Sequence, residues 1–298
     1  MSYLNLKPVE FDAMGKRNQQ QFRWDGRILL PKYDGCFAMV AFWDGKLDYI
    51  MSRTGEVVKS MDHIGEDLLT RYPGLAKSKA GWMVLGEAWN PGKEFADLSG
   101  EFRRQRPQPQ LGFAPFDLVH YRHDNDADLP TLWSTTPYRE RLALLEAANA
   151  RQVACNVFPP VPVTCEGKDH AERYARCLKD MGGYDGAVCA DPDATYTPGA
   201  GKAGEFIKVK PLVSYSLECV GYEADVGAKT GRATGCLIVR FKGGNCGVAT
   251  GLSEAQQANL QQFVGKIIEV EAMGVSSKGL LREPRFKGVR TDVKQADY

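Results

Sequence analysis

The sequence predicts an α+β protein in two parts, antiparallel sheets with helices over residues 1–211 and a small β-barrel of the OB type over 212–298. Three observations lead there. Short apolar runs of strand length fill the first two thirds of the chain, and helical stretches interrupt them. Beyond Lys210-Pro211 the character changes to short strands with one inserted helix in 87 residues, the pattern of a small barrel. The composition, 43% hydrophobic and 25% charged over 298 residues, describes a globular protein long enough for two domains of ordinary size.

Taken in order, Arg27 to Met51 reads strand, turn, strand, strand ("RILLP", "CFAMVAFW", "LDYIM"). "WMVLGEAW" and "LGFAPFDLVHY" are further strands, and the acidic run from Arg122 to Pro130 is a solvated loop. In "TPYRERLALLEAANA" Thr136 is the expected N-cap, Pro137 takes the first helical position, and Leu142 and Leu145 fall at helical spacing. "DHAERYARCLKDMGG" is a second helix, whose closing glycine pair suits a C-cap. After the boundary come "SYSLECVGYEA", "GCLIVRF" and "NCGVAT" as strands, then a helix, then "KIIEVEAMGV" as another strand. Ser253 opens that helix and Gln256 stands three residues on, the spacing of a capping box.

Charge and cysteine usage narrow the class. The formal net charge is +1, so any nucleic-acid surface must come from local clustering. The first 21 residues lack the apolar core of a signal peptide, and no stretch approaches eighteen apolar residues, so a membrane partner is not expected. The eight cysteines are scattered without C-x-x-C or histidine spacing, which argues against structural zinc and for free thiols in a reducing compartment.

The unusual feature is "PKYDGCF", where Lys32 and Asp34 interrupt two apolar strands. K-x-D-G is weak alone, because Asp-Gly is a favoured hairpin pair. The companions strengthen it: "SRTG" (Ser52 to Gly55), Glu87 in "LGEAW", Phe116-Asp117 in "FAPFDLV", Asp185-Gly186 in "YDGAVCADP", and "GEFIKVKP". Lys208 and Lys210 in the last of these share one strand face, since residues i and i+2 point the same way. Two basic clusters stand out: "EFRRQRP", with Arg103 and Arg104, and the stretch from Lys278 to Lys294, with six basic residues against two acidic.

In this order the motifs resemble the nucleotidyltransferase superfamily of ATP-dependent DNA ligases, RNA ligases and mRNA-capping enzymes. The resemblance is strongest to short, phage-type ATP-dependent DNA ligases, and runs from about residue 25 to 294. It implies a nucleotidyltransferase (adenylation) domain followed by an OB-fold domain, acting in the cytoplasm of a bacterial cell or a phage-infected host. It further implies that Lys32 attacks the α-phosphorus of ATP and becomes a lysyl-adenylate. A lysine amine attacks only when deprotonated, its ordinary pKa is about 10.4, and neighbouring cations and a bound metal lower it. Lys208 and Lys210 match the family's phosphate-contacting pair. Glu87 matches the carboxylate that contacts ribose and helps position metal. Asp185 stands where the family usually has glutamate, and with Glu87 would serve Mg²⁺, for which Mn²⁺ can substitute. Phe116 matches the aromatic that stacks on adenine, with Val188 on its other face, and the backbone at Leu30 and Pro31 lies where adenine is read. Arg53 matches the arginine that engages the 5′-phosphate of a nick, and Arg103, Arg104 and Arg285 suit duplex phosphates. Arg290 and Asp292 match the pair that the OB domain brings to the leaving pyrophosphate on closing. The implied partner is nicked double-stranded DNA, bound by a monomer.

The chain departs from the family pattern in four places. Phe37 replaces an arginine, Leu85-Gly86 replaces Asp-Gly before the glutamate, Ala190 replaces a basic residue, and Val293 separates Asp292 from Lys294. Two alternatives stay open: the same chemistry on another substrate (RNA ligation or guanylate transfer to a cap), and a catalytically silent OB-fold nucleic-acid-binding protein.

Overall fold

The computed structural model describes residues 6–122, 130–150, 155–201, 203–226, 231, 233–276 and 278–298. Most of the expected acidic loop, residues 123–129, lies outside them. The chain forms two compact units, Met1–Lys210 and Pro211–Tyr298. Labelled in chain order, the main elements of the first are β1 (Ile28–Tyr33), β2 (Cys36–Trp43), β3 (Lys46–Ser52), α1 (Asp62–Arg71), β4 (Trp82–Ala88) and α2 (Phe95–Phe102). They continue as β5 (Phe113–Arg122), β6 (Thr131–Trp133), α3 (Tyr138–Glu146), α4 (Lys168–Met181), β7 (Tyr184–Ala190) and β8 (Phe206–Val209).

Among the described residues two five-stranded sheets organise this unit. One has the order Val9–Glu10, β8, β7, β1, Val163–Thr164, and the other β3, β2, β4, β5, β6. Except for the parallel pairing of Val9–Glu10 with β8, neighbouring strands in both are antiparallel. Both sheets are covered on two faces, so their strands read as continuous apolar runs rather than simple alternation. In the first sheet, Leu29, Ala187, Cys189, Ile207 and Val209 share a core with Ala171, Ala175 and Leu178 of α4. The alternate residues Leu30, Val188 and Phe206 meet Tyr138 and Leu142 of α3 on the other side. In the second sheet, Ala38, Val40, Phe42, Val84 and Ala88 pack with α1 and α2, while Phe37, Met39, Ala41, Met83 and Leu85 form a separate cluster. Burying each large side chain of this kind contributes about 1.5–3 kcal/mol.

The expected cap of α3 is corrected. Pro137 occupies the N-cap position and Thr136 makes no side-chain cap. The Thr136 carbonyl instead accepts from the Arg141 guanidinium, which holds this entry from inside the helix. At the other end of α4, Gly182 is the C-cap at φ 79°, its N–H returning to the Lys179 carbonyl.

The second unit comprises β9 (Val213–Val226), β10 (Ala233–Phe241), β11 (Gly244–Val248), α5 (Glu254–Gln257), β12 (Ile267–Ala272) and β13 (Arg285–Val289). Its sheet has the order β11-β10-β9-β12-β13. The expected barrel does not close by a ladder among the described residues: the chain just past the edge strand β11 meets the other edge, β13, at one bridge, Thr250 with Arg285. The approach there is tight, since a Cβ on Gly251 would stand 2.2 Å from the Phe286 carbonyl oxygen. Ser253 and Gln256 make both bonds of the capping box. All eight cysteines are free. No helix among the described residues is long and apolar enough to cross a membrane.

Candidate functional site

Antiparallel register places the first half of the site. Val188 of β7 lies opposite Leu30 of β1 on one side and Lys208 of β8 on the other, so these three share a sheet face. Lys32 lies opposite Gly186, with a register shift that leaves Asp185 out of the ladder. The extra residue in such a bulge is free to be re-aimed, and Asp185 turns its carboxylate to two lysines. Lys32 Nζ donates to Asp185 Oδ2 at 2.7 Å, and Lys210 Nζ stands 3.4 Å from the same oxygen. Burial alone would raise the Asp185 carboxyl, but Lys32, Lys210 and Lys179 hold it below the usual carboxylate range. Lys208 is shifted downward, first by burial and then by the charge of Lys210, with Lys32 adding to it and Glu10 opposing it. Leu30 lies on the face of Lys32 and Val188, and Pro31, opposite Ala187, on the other face, so the two border the lysine through their backbone.

The second sheet supplies the other half. Glu87 of β4 lies between Phe37 of β2 and Ala114 of β5. Burial pushes its carboxyl up to about 7, against the pull of Arg53 and Lys32. The Arg53 guanidinium lies over the Phe37 ring, 5.1 Å from its centroid. Phe37, at the position of an expected arginine, is thus an aromatic seat for Arg53. Along β5 the register jumps, with Leu85 opposite Asp117 and Gly86 opposite Pro115, so Phe116 occupies a bulge. Its ring is 6.2 Å from Phe37. Ala190, at the expected basic position, is fully buried among Leu30, Tyr138 and Phe206.

Two carboxylate oxygens, Glu87 Oε2 and Asp185 Oδ1, are buried without a hydrogen-bond partner. Orphaned acceptors of this kind suit a hard cation. Among the described residues there is no cluster of three or more His, Cys, Asp or Glu side chains, so two carboxylates are the offer. That fits Mg²⁺, which keeps waters and phosphate oxygens in its shell.

Arg103 and Arg104 follow α2 directly. Arg104 donates to Gln108 Oε1 at 2.9 Å, and the Arg103 charge, like that of Arg53, acts on the Cys36 thiol. Arg285, Arg290 and Asp292 belong to the second unit. Arg290 grips Asp292 through two bonds, Nε to Oδ1 at 2.9 Å and Nη2 to Oδ2 at 2.8 Å. That grip, with a backbone bond, lowers the Asp292 carboxyl to about 2. Arg285 pairs with Glu271 in the β12–β13 ladder and forms the edge bridge.

Sequence reasoning missed the support beneath Phe116. Buried Asp117 takes two bonds from buried Arg141, at 2.7 and 3.0 Å, and the Tyr138 hydroxyl donates to the Phe116 carbonyl at 2.8 Å. The signal was available: Tyr138, Arg141, Leu142 and Leu145 form one helical stripe, with a cation where an apolar residue belongs.

Comparison with known proteins bears on the fold. A family model for the DNA ligase OB-like domain matches residues 228–290. A Lig E DNA ligase, described as binding DNA with a minimal scaffold, superposes with a TM-score of 0.67 at 18% identity, over 96% of this chain and 99% of that one. The chain has the DNA ligase fold. The ligase fold extends to the structure described as Pmar-Lig_Pre, at a TM-score of 0.70 and 20% identity, over 98% of this chain and 68% of that one. In sequence, the DNA ligase of Natronomonas pharaonis is 24% identical over 92% of this chain and 53% of its own length. DNA ligase 2 of Haloquadratum walsbyi is 25% identical over 92% and 48%. The chain therefore spans about half the length of these curated relatives. Within the ligase fold, Asp185 meets Lys32 and Lys210 by direct contact, and Glu87 lies near enough to feel the charges of Arg53 and Lys32.

Proposed function

We propose that the protein is an ATP-dependent DNA ligase that seals 5′-phosphate/3′-hydroxyl nicks in duplex DNA through a lysyl-AMP on Lys32. The observation that carries this reading is the convergence on Lys32 Nζ of Asp185 at 2.7 Å, with Lys210 3.4 Å from the same carboxylate oxygen. Glu87 stands near enough to be acted on by the Lys32 charge. A binding protein has no use for this arrangement.

In the first step Lys32 Nζ, having left its ion pair with Asp185 and given up its extra proton to solvent, attacks the α-phosphorus of ATP with the freed lone pair. The nitrogen–phosphorus bond forms as the bond to the bridging oxygen breaks, and pyrophosphate leaves with that electron pair. Lys208 and Lys210 offset charge on the reacting phosphate. Phe116, held on its bulge, stacks on adenine, with Val188 against the other face and the backbone at Leu30 and Pro31 reading the base edge. The nick 5′-phosphate, oriented by Arg53, then takes AMP from Lys32. The 3′-hydroxyl finally displaces AMP and closes the backbone. Each step is a displacement at phosphorus, so positioning supplies most of the rate. Glu87 and Asp185 would hold Mg²⁺, or Mn²⁺ in its place, which when bound neutralises charge on the phosphates. Arg103, Arg104 and Arg285 would contact duplex phosphates, and Asp292 orients Arg290. The enzyme acts as a monomer in a reducing compartment, where its thiols stay free.

The test is intact-protein mass spectrometry on chain first stripped of bound nucleotide with pyrophosphate, then given Mg²⁺ and ATP or GTP. One added AMP with ATP only, absent from Lys32→Ala, is the expected result. A GMP adduct redirects the reading to a capping-type enzyme. No adduct with either nucleotide sinks it and leaves a binding protein.

A further inference from the structure

Lys32 and Glu87 sit on different sheets, with no shared ladder to set their separation. Asp185, in its bulge, is not fixed by pairing either. Something else must register the two halves of the site. Two residues past Glu87, the buried Trp89 donates its indole Nε1–H to the Gly183 carbonyl at 2.7 Å. The same carbonyl accepts the Asp34 N–H at 3.0 Å. One oxygen thus ties the turn after Lys32, the chain entering Asp185 and the strand leaving Glu87.

The side chains around it repeat the connection. The Trp89 ring lies 4.9 Å from Tyr33, the neighbour of Lys32, and 5.2 Å from Tyr184, the neighbour of Asp185. Gly183 is at φ 76°, a conformation that favours glycine, and a Cβ there would come within 3.3 Å of Trp89 Nε1. The glycine pair after α4 therefore does two jobs. Gly182 ends the helix, and Gly183 turns a bare carbonyl towards the indole.

We propose that Trp89 is a positioning residue for the lysine chemistry, acting through the Gly183 carbonyl to hold Lys32 and Asp185 in register with Glu87. The inference rests on the reading of Lys32 as the nucleophile. Trp89 touches neither nucleotide nor nick; it sets where the reacting amine stands. Misplacement of a reacting group by about 1 Å can cost a hundredfold in rate, so losing one indole N–H should slow chemistry without weakening nucleotide binding.

The experiment compares full-length wild type with Trp89→Phe, which retains ring packing and loses the donor. Single-turnover AMP transfer from ATP to Lys32 is followed in Mg²⁺, together with hydrogen exchange at the Asp34 amide. The expected result is a rate constant lower by about tenfold or more, a half-saturating ATP concentration changed by less than about twofold, and faster exchange at Asp34. A rate constant and an Asp34 exchange rate both equal to wild type would overturn the proposal, as would a loss confined to ATP affinity. If Trp89→Phe fails to fold, 3-benzothienylalanine at position 89 keeps the indole shape without the N–H and is held to the same outcomes. If wild type itself forms no adduct, the nucleophile reading fails, and Asp34 exchange still decides whether Trp89 sets the turn.

Discussion

Glu87 stands where burial and charge oppose each other. Burial raises its carboxyl from the ordinary 4.5 to about 7, and Arg53 and Lys32 only partly restrain it. A carboxyl whose folded value lies above its unfolded one favours the neutral native state. That advantage is complete below about pH 4.5 and is lost as pH rises through about 7. Ionised Glu87 is thus a cost to the fold at alkaline pH, with an orphaned buried oxygen to match. Glu87→Gln is expected to stabilise the protein at pH 8 by about 1–3 kcal/mol, after allowance for solvent screening. The gain should vanish at pH 4, and lysine adenylation should fall. Denaturant midpoints at the two pH values check this, and an equal gain at both would refute it. The role proposed for Glu87 is legible in "LGEAW" only through the resemblance, because a lone acid there otherwise reads as a surface charge or a turn residue. Its raised value is not legible, since it arises from burial in the folded sheet, with Arg53 and Lys32 opposing and Asp34 and Asp185 adding to it, all distant in sequence.

Bulges decide which side chains the sheets leave outside their ladders. Phe116 and Asp185 both fall at register shifts. A bulge leaves its residue without ladder support, so each needs an outside anchor. For Phe116 the anchor is α3, through the Tyr138 hydroxyl on its carbonyl and Arg141 on its neighbour Asp117. Arg141→Leu would strand a buried carboxylate and should destabilise the protein by about 3–5 kcal/mol. The double variant Arg141→Leu/Asp117→Leu should recover much of that loss, and a urea double-mutant cycle measures the coupling. Additive single effects would show that the pair does not act as one. The strands themselves were readable from their apolar runs. The bulges were not, because a one-residue slip leaves the composition of a strand unchanged. The α3 cap misled for a similar reason: "TPYRE" satisfies local capping rules, but Arg141 takes the Thr136 carbonyl.

On the scale of the whole molecule, each unit has its own core, the second built around Leu217, Val239, Phe241, Val248 and Val270. Leu212 and Val213, just past the division, are 41% and 46% exposed. Limited proteolysis is expected to cut near Leu212–Val213 and to release two protected fragments, visible by mass spectrometry. A chain that resists until it unfolds in one cooperative step would contradict this. The single-bridge seam at Thr250 and Arg285 could not be foreseen, because sequence pattern predicts strands and not how far their ends overlap. The Lys32–Asp185 contact spans 153 positions, and Lys210 comes later still. During synthesis at the ribosome, therefore, Lys32 emerges early but stays alone until about residue 210 has followed it, and non-local pairings of this kind form slowly. On the reading of Lys32 as the nucleophile, a chain ended before Asp185 and Lys210 should form no adduct with nucleotide. The three-residue contact is the last thing this unit assembles.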